Sequence, residues 1–316
     1  MDIEDSKIRE TIQESRPNLK MVSIKQYEAQ LKKLKSMFDS SNYDFLEAPE
    51  QVEKALEEKH FTTKRNFYNA IIILLLALNS DNQYDDLVEQ YSDMRDQLNN
   101  KYIEENKTGI ISDKQSPNFA TMEEVDSMLS QMKSDIQEMK NKTQTQQNKS
   151  LIRAYTLFTM LKHIPTRNDY ANLLYINKKA YDKLTQKEKV DNNYLVLDRS
   201  NKTMKLILNV YKTAKKYGEN IIEVPKKVQT TIRQYLTYMK YKVGDNIFPM
   251  TKNALSQLLL KYSFKYSGKK ISSTLMRKIY LSDKYADVKK EMEKDAKIMG
   301  NSVAVQQSSY VKEAKE

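Results

Sequence analysis

The end of the chain holds the side chains with the most distinctive chemistry. Tyr310 follows Asn301 by nine positions, in the run Met299-Gly-Asn-Ser-Val-Ala-Val-Gln-Gln-Ser-Ser-Tyr310. A tyrosine hydroxyl can attack a phosphodiester and form a covalent phosphotyrosine. An asparagine amide can donate a hydrogen bond to a phosphate oxygen. Asn301 also follows Gly300, which is typical of the end of a helix, so a capping role is the structural alternative.

Two arginines upstream could bind the same phosphate. Arg167 lies in Pro165-Thr-Arg-Asn-Asp-Tyr170, and Arg277 lies in Leu275-Met-Arg-Lys278, three positions after Thr274. Two guanidinium forks can clamp the non-bridging oxygens, where negative charge develops in the transition state. Arginine is scarce in this chain, nine residues against 44 lysines, so these two positions stand out. Each could instead be a surface ion-pair partner.

Taken in order, these runs resemble the motifs of the tyrosine recombinases, the DNA breaking-and-rejoining family that includes phage-type integrases. The tail resembles the family's last motif, Leu-Gly-His-Ser followed by the nucleophilic Tyr, with Asn301 in the His position. The run around Arg277 resembles the His-x-x-Arg box, with Thr274 in the His position. The run around Arg167 resembles the first arginine box. The resemblance covers roughly residues 120–312.

The resemblance also implies a catalytic lysine. Tyr211-Lys-Thr and Ile221-Ile-Glu-Val-Pro225 resemble the β-hairpin that carries it in the family. A lysine ammonium there can protonate the 5′-hydroxyl leaving group. Lys212 is the first candidate, and Lys215 and Lys216 share the same polar turn.

The implied function is site-specific recombination or integration, in which DNA strands are cleaved and rejoined through a 3′-phosphotyrosyl intermediate. The implied partners are double-stranded DNA and further copies of the chain, a tetramer on DNA, with no cofactor or metal. A virus or mobile element is the implied source. The catalytic residues would be Arg167, Lys212, Arg277, Asn301 and Tyr310, with contributions from Thr274, Lys215 and Lys216.

Two alternatives remain at this stage. A type IB topoisomerase shares the catalytic residue set but works as a monomer, whereas the helical segment ahead of the catalytic boxes favours the recombinase. A degenerate relative would bind DNA without cleaving it. The absence of histidine from both family positions favours this second alternative, because neither asparagine nor threonine transfers protons.

The charge distribution agrees with a polyanionic partner. Residues 1–120 carry 16 Lys and Arg against 22 Asp and Glu, whereas residues 121–316 carry 37 against 20, a net charge of +17. A globular segment this basic attracts nucleic acid by counterion release and long-range steering. A solvated, lysine-rich surface is the alternative interpretation of the same numbers.

Composition argues against several other kinds of site. The chain has no cysteine, which excludes disulfides and thiolate metal sites. Its two histidines, His60 and His163, are far apart, which argues against a zinc site or a Ser-His-Asp triad. His163 precedes Arg167 by four positions at a predicted helix end, where we expect it to pack or be solvated.

No membrane segment is expected. The apolar run 70–78 is too short to cross a bilayer, which needs about 20 residues, and predicts a buried helix. The acidic start of the chain lacks the apolar core of a signal peptide. We therefore expect a soluble, intracellular protein, in the cytoplasm or in the nucleus or virion, depending on the host.

The elements that would position these residues form two domains. We expect a flexible arm at 1–20, a helical core-binding domain at 21–107, a linker at 108–120 and a catalytic domain at 121–316. Ser23 and Thr121 are predicted to open helices with capping boxes, and Gly109 and Pro117 mark the linker. Pro49 suits a first helical turn.

The second domain is predicted to mix helices with a small antiparallel sheet. Strands are expected at 194–197, 204–211 and 221–224. Helices are expected near 151–163, 226–242, 251–262, 271–282 and 284–299, and a loop at 141–149. The predicted fold class is therefore α+β and mostly helical: a core-binding bundle, then a domain like the catalytic domain of a tyrosine recombinase.

Overall fold

The computed structural model describes residues 1, 3–107, 109–113, 115–139, 145–198, 200 and 202–311. The chain divides into two compact units, Met1–Ile110 and Ile111–Glu316. The change of unit falls inside the segment predicted as a linker. Each unit is described by itself below.

The first unit is a helical bundle. Its helices are α1 (Ile8–Ser15), α2 (Met21–Met37), α3 (Pro49–Ala55), α4 (Phe61–Leu78) and α5 (Asp85–Lys107). The apolar run 70–78 lies in α4, where most of its side chains are buried among the other helices. Pro49 occupies the first turn of α3, as expected from its fixed φ.

The beginning of the chain differs from the sequence prediction. The segment predicted as a flexible arm contains α1, in which Ile8 and Ile12 are fully buried. Their four-residue spacing places both on one helix face, but a helix of two turns is a weak signal among polar residues. Ser23 lies inside α2, which begins at Met21, so the predicted capping box at Ser23 does not form.

The second unit contains the remaining helices and one sheet. Its helices are α6 (Met122–Glu138), α7 (Gln146–His163), α8 (Lys178–Asp182), α9 (Gln186–Val190), α10 (Ala214–Tyr217), α11 (Lys226–Met239), α12 (Lys252–Ser267), α13 (Ser273–Ile298) and α14 (Val303–Val305). Thr121 opens α6 with the predicted capping box, in which its hydroxyl accepts from the Glu124 N–H. The predicted loop at 141–149 lies partly outside the described residues, and α7 takes up its second half.

The sheet has the strand order β1-β2-β3-β4, from β1 (Leu174–Asn177), β2 (Tyr194–Asp198), β3 (Thr203–Leu208) and β4 (Asn220–Glu223). The last three strands are antiparallel, as predicted. β1 was not predicted, and it pairs parallel to β2, so the sheet is mixed. The α+β, mostly helical class is confirmed.

Both faces of the sheet are covered. Leu195, Leu197 and Leu206 belong to the main core, which also contains buried residues of α7 and α11. Tyr194 and Val196, on the alternate positions of β2, pack with Ile207 and the segment around α8. This alternation places one set of β2 side chains on each face of the sheet. The strands therefore form a fixed platform next to α7.

α13 differs from the prediction of two helices at 271–282 and 284–299. It is one continuous helix through Asp283, because no glycine or proline interrupts 273–298. Its first turns are anchored by buried Leu275, Met276 and Ile279, whereas most later residues are exposed to solvent. The C-terminal two thirds of this helix therefore extend beyond the core.

Among the residues that the structure describes, no helix has the length and apolar character needed to span a membrane.

Candidate active site

Arg167 is exposed on the loop that joins α7 to β1. The loop is held from below by two buried residues. The Tyr170 hydroxyl donates to the Ile164 carbonyl at 2.6 Å, and burial raises the pKa of this hydroxyl well above its usual range. The Asp169 carboxylate lies 3.3 Å from the Lys252 ammonium. Arg167 thus projects into solvent from a well-supported turn.

Arg277 lies in the second turn of α13. Ser272 caps the start of the helix, where its hydroxyl accepts a hydrogen bond from the Leu275 N–H at 3.2 Å. Leu275 and Met276 are buried in the core, which leaves Arg277 half-buried and Thr274 exposed. Thr274 and Arg277 are three positions apart, so they share one face of the helix.

The structure brings the Arg167 loop and the start of α13 together. The Ser273 hydroxyl donates to Asn168 Oδ1 at 2.6 Å. Asn168 Nδ2 donates to Ser256 Oγ at 2.6 Å and to the Lys252 carbonyl at 3.0 Å, which adds the start of α12. Asn168, which follows Arg167, is therefore hydrogen-bonded to Ser273, which lies four positions before Arg277.

Neither arginine is neutralised within the part of the chain that the structure describes. No carboxylate forms an ion pair with Arg167 or Arg277 there. Arginine forks that have no internal partner are available to an external anion, and phosphate matches their geometry.

Asn193 is a positioning residue that the sequence analysis missed. It is 6% exposed, and its Nδ2 donates to the Asp169 carbonyl at 2.9 Å and to the Val210 carbonyl at 3.2 Å. Its Oδ1 accepts from the backbone N–H groups of Asn209 and Val210 at 2.8 and 2.7 Å. Asn193 therefore connects the arginine loop to the segment just before Lys212. An asparagine ahead of a strand gives no sequence signal for this role.

The three candidate lysines are exposed in the connection from β3 to β4. The predicted polar turn contains the short helix α10 and closes at Gly218, whose φ of 70° favours glycine. Lys216 lies over the Tyr217 ring at 5.1 Å, and Lys215 lines a cavity of 590 Å³ with Tyr181. Lys212 is the candidate nearest in sequence to the backbone that Asn193 holds.

Asn301 lies just after the end of α13, as the preceding Gly300 predicts. Gly300 has a φ of 65°, and the Asn301 N–H donates to the Ala296 carbonyl at 3.0 Å, as in a Schellman motif. The Oδ1 atom of Asn301 is buried and has no hydrogen-bond partner within the described residues. The unused hydrogen-bonding capacity of this side chain is therefore that of an acceptor oxygen.

Tyr310 lies on the segment 303–311, which folds back along the end of α13. Its side chain is 61% exposed and lines a cavity of 310 Å³ with Met292, Met299 and Val311. Gln306, 5% exposed, is the buried residue that seats this segment on the helix. The hydroxyl group that would act as nucleophile is therefore presented at the end of a projecting helix.

The sequence-predicted residues fall into two groups. Arg167, Arg277 and the segment of Lys212 are connected through Asn168 and Asn193. Asn301 and Tyr310 lie at the other end of α13. Met292, which neighbours Tyr310, is fifteen residues beyond Arg277 on one helix, roughly 22 Å at 1.5 Å per residue. Within one copy of the chain, Tyr310 does not reach the arginines.

His163 is half-buried at the end of α7, as expected for a packing role. Burial lowers its pKa, and the neighbouring Lys162 and Lys227 charges lower it further.

The comparisons with known proteins are sparse. No protein-family model matches the chain, and no curated protein matches it. A solved structure described as "Crystal structure of XerA recombinase" matches with 13% identity and a TM-score of 0.33, covering 96% of this chain and 92% of that chain.

Proposed function

We propose that the protein cleaves and rejoins duplex DNA through a covalent bond to Tyr310. The phenolic oxygen gives up its proton to solvent and attacks a backbone phosphorus, the bond to the 5′ oxygen breaks, and that oxygen takes up a proton and leaves as a 5′ hydroxyl. Attack by a 5′ hydroxyl on the phosphotyrosine reverses the step and rejoins the strand. The proposal rests on the Asn168–Ser273 hydrogen bond, which joins the loop of Arg167 to the start of the helix that carries Arg277. Neither arginine forms an ion pair within the described residues.

The arginines suit the phosphate. Arg167 is exposed, so little desolvation energy is needed when it binds a phosphate. Arg277 is half-buried, so its attraction to a phosphate is less weakened by water. Two forks can follow the charge that develops on the non-bridging oxygens, which a single ammonium cannot do. Their fixed positions come from the buried Asp169 and Tyr170 and from the start of α13.

Lys212 is proposed as the proton donor for the leaving group. It is exposed on a segment whose backbone Asn193 ties to the arginine loop. A lysine ammonium is protonated at neutral pH and flexible enough to follow the leaving oxygen. Lys215 and Lys216 remain the alternative donors on the same connection.

The finer proposal is a site-specific recombinase or integrase that acts as an oligomer on DNA. The sequence resemblance to tyrosine recombinases supports it, as does the net charge of +17 over residues 121–316. A type IB topoisomerase would use the same residues as a monomer. Relaxation of a supercoiled plasmid by isolated monomers would favour the topoisomerase.

A second candidate function has its own support. The separation of Tyr310 from Arg277 along α13 favours a protein that binds DNA without cleaving it. In that case the arginine pair and the basic surface would hold the phosphate backbone, and Tyr310 would be an ordinary exposed residue.

Incubation with suicide DNA substrates distinguishes a protein that cleaves DNA from one that only binds it. These substrates release the cleaved 5′ end, so a covalent adduct accumulates and migrates as a heavier band in a denaturing gel. Tyr310→Phe should abolish the adduct, whereas Tyr217→Phe, at an exposed tyrosine of similar accessibility, should not change it. An adduct that persists in Tyr310→Phe contradicts the assignment. Tight duplex binding without any adduct favours the second candidate.

A further inference from the structure

The projecting helix α13 has two different apolar faces. Met276 and Ile279 point into the core of the second unit. Most positions that continue this face along the helix are polar, among them Asp283, Lys290 and Lys297, and only Ala286 is apolar. Beyond Ile279, this face therefore has little apolar surface that could pack against the core of its own unit. This agrees with the solvent exposure of the residues that follow.

A second apolar face begins where the first ends. Leu281, Tyr285, Val288 and Met292 are spaced by four, three and four residues, which places them on one line along the helix. The first three are 50%, 47% and 51% exposed. Segment 303–311 packs beside Met292 but leaves the other three uncovered. We call these four residues the α13 stripe.

The charges around the α13 stripe do not suit a polyanion. Residues 281–298 contain five lysines and five acidic residues, a net charge of zero, although residues 121–316 as a whole carry +17. An apolar line with balanced charges at its sides is the pattern of a helix that pairs with another helix. DNA is therefore not the expected occupant of this face.

The order of the charges beside the α13 stripe favours a second copy of α13 as the partner helix. Lys284 and Glu291 flank the stripe on the same side, seven residues apart, and neither forms an ion pair within the described residues. If two copies of α13 pair antiparallel so that Leu281 meets Met292 and Tyr285 meets Val288, each Lys284 lies beside Glu291 of the other copy. If they pair in parallel, Lys284 faces Lys289 of the other copy, since such pairs are offset by five residues.

We propose that two copies of this chain associate through the α13 stripe, antiparallel and centred between Tyr285 and Val288. The interface is the same patch on both copies, as two-fold symmetry requires, with two Lys284–Glu291 ion pairs at its sides. The core of each copy lies on the opposite face of its own α13, at Met276 and Ile279, so it does not obstruct the partner helix.

The pairing has a consequence that rests on the proposed function. Thr274 and Arg277 lie on the same line of α13 as the stripe, by the same three- and four-residue spacing. Antiparallel pairing in this register places Arg277 opposite Ala296 of the other copy, about one helical turn from Met299. Tyr310 packs beside Met299. Each phosphate site would then combine the arginines of one copy with Tyr310 of the other, which closes the separation found within one copy.

The pairing is expected to be weak without DNA. Four apolar positions make a short coiled coil, and association must offset the loss of translational and rotational freedom. Copies bound next to each other on one duplex would have a far higher effective concentration. Tests of pairing are therefore made at high micromolar concentration, or on DNA.

Cross-linking tests the pairing and its direction without any need for activity. The chain has no cysteine, so single cysteines can be placed on a clean background. With a short bis-maleimide, Val288→Cys should give cross-linked dimers, and Lys290→Cys, on the opposite face, should not. Leu281→Cys should also fail, because antiparallel pairing holds the two copies of position 281 roughly 16 Å apart along the helix axis. Efficient cross-linking at 281 would show a parallel pair, and none at 288 would show no pair; either overturns the proposal.

Charge reversal tests the ion pairs. Lys284→Glu and Glu291→Lys should each reduce Val288→Cys cross-linking by about tenfold, since each sets like charges against each other. The double reversal should restore it. Residues seven apart on one helix lie roughly 10 Å from each other, too far for direct contact, so restoration can come only from a second copy. Failure of the double variant to recover would contradict the predicted register.

Mixing two inactive variants tests the shared site. Tyr310→Phe and Arg277→Ala should each be inactive alone. A mixed pair contains one complete site, so an equal mixture should form adduct at about one quarter of the wild-type level, all of it on the Arg277→Ala chain. A wild-type protein without adduct would refute the proposed function and leave the cross-linking result standing. An active wild type whose variants do not complement would refute the shared site alone.

Discussion

The hydrogen bonds of Asn168 give the most specific prediction about how the arginines are positioned. Its side chain accepts from Ser273 at 2.6 Å and donates to Ser256 at 2.6 Å and to the Lys252 carbonyl at 3.0 Å. Asn168→Ala removes all three. At roughly 1 kcal/mol for each bond, with a discount for partial exposure, the second unit should lose about 2 kcal/mol of stability.

The effect on activity should exceed the effect on folding. Loss of the bonds frees the Arg167 loop from α13, and a displacement of about 1 Å between catalytic groups can cost 100-fold in rate. We therefore expect adduct formation to fall by about tenfold or more under conditions where the variant remains folded. Single-turnover cleavage of a suicide substrate measures the rate, and denaturant unfolding measures the stability.

A matched control is available at Asn246, which is exposed and makes no side-chain hydrogen bond within the described residues. Asn246→Ala deletes the same amide and should change neither stability nor rate. If Asn168→Ala cleaves as fast as the unmodified protein, the bond to Ser273 does not position the arginines. The hydrogen bonds of Asn168 would then have no part in forming the proposed phosphate site.

Three further predictions concern the phosphate site. Arg167→Lys and Arg277→Lys should not rescue the loss seen on substitution by alanine, because an ammonium lacks the bidentate fork; a rescued adduct rate would contradict a clamping role. Duplex DNA affinity should fall about 10³-fold between about 50 and about 200 mM salt if some six phosphates are neutralised, and a flat titration would exclude a polyanionic partner. Asn301→His should preserve or raise the cleavage rate, whereas Asn301→Ala should lower it by about tenfold or more if the amide binds phosphate; equal rates for Asn301→Ala and the unmodified protein would show that this position is idle.

Much of the secondary structure could be predicted because its signals are local. Thr121 and Glu124 form a capping box whose two hydrogen bonds involve residues three apart. β2 and β3 are predictable from apolar runs bounded by polar turns. The α1 segment was missed because its burial depends on the other helices of its unit, and not on its own composition.

The site could be predicted only in part. Residue types and spacing identified the arginines and Tyr310 as candidates, but Asn193 acts through four bonds to the backbone of distant segments, which no sequence pattern indicates. β1 was missed for a related reason, since its parallel pairing with β2 is decided by the sheet. The separation of Tyr310 from Arg277 follows from the continuity of α13 through Asp283, where a break was predicted.

Covalent attachment of Tyr310 to DNA is the step on which the proposed function depends. The most direct measurement is digestion of the adduct formed on a suicide substrate, followed by mass spectrometry of the peptide that carries the nucleotide. We expect a single modified peptide, with the nucleotide joined by its 3′ phosphate to Tyr310. Modification at another of the 21 tyrosines, or no covalent adduct under conditions where the protein binds the duplex, would contradict it.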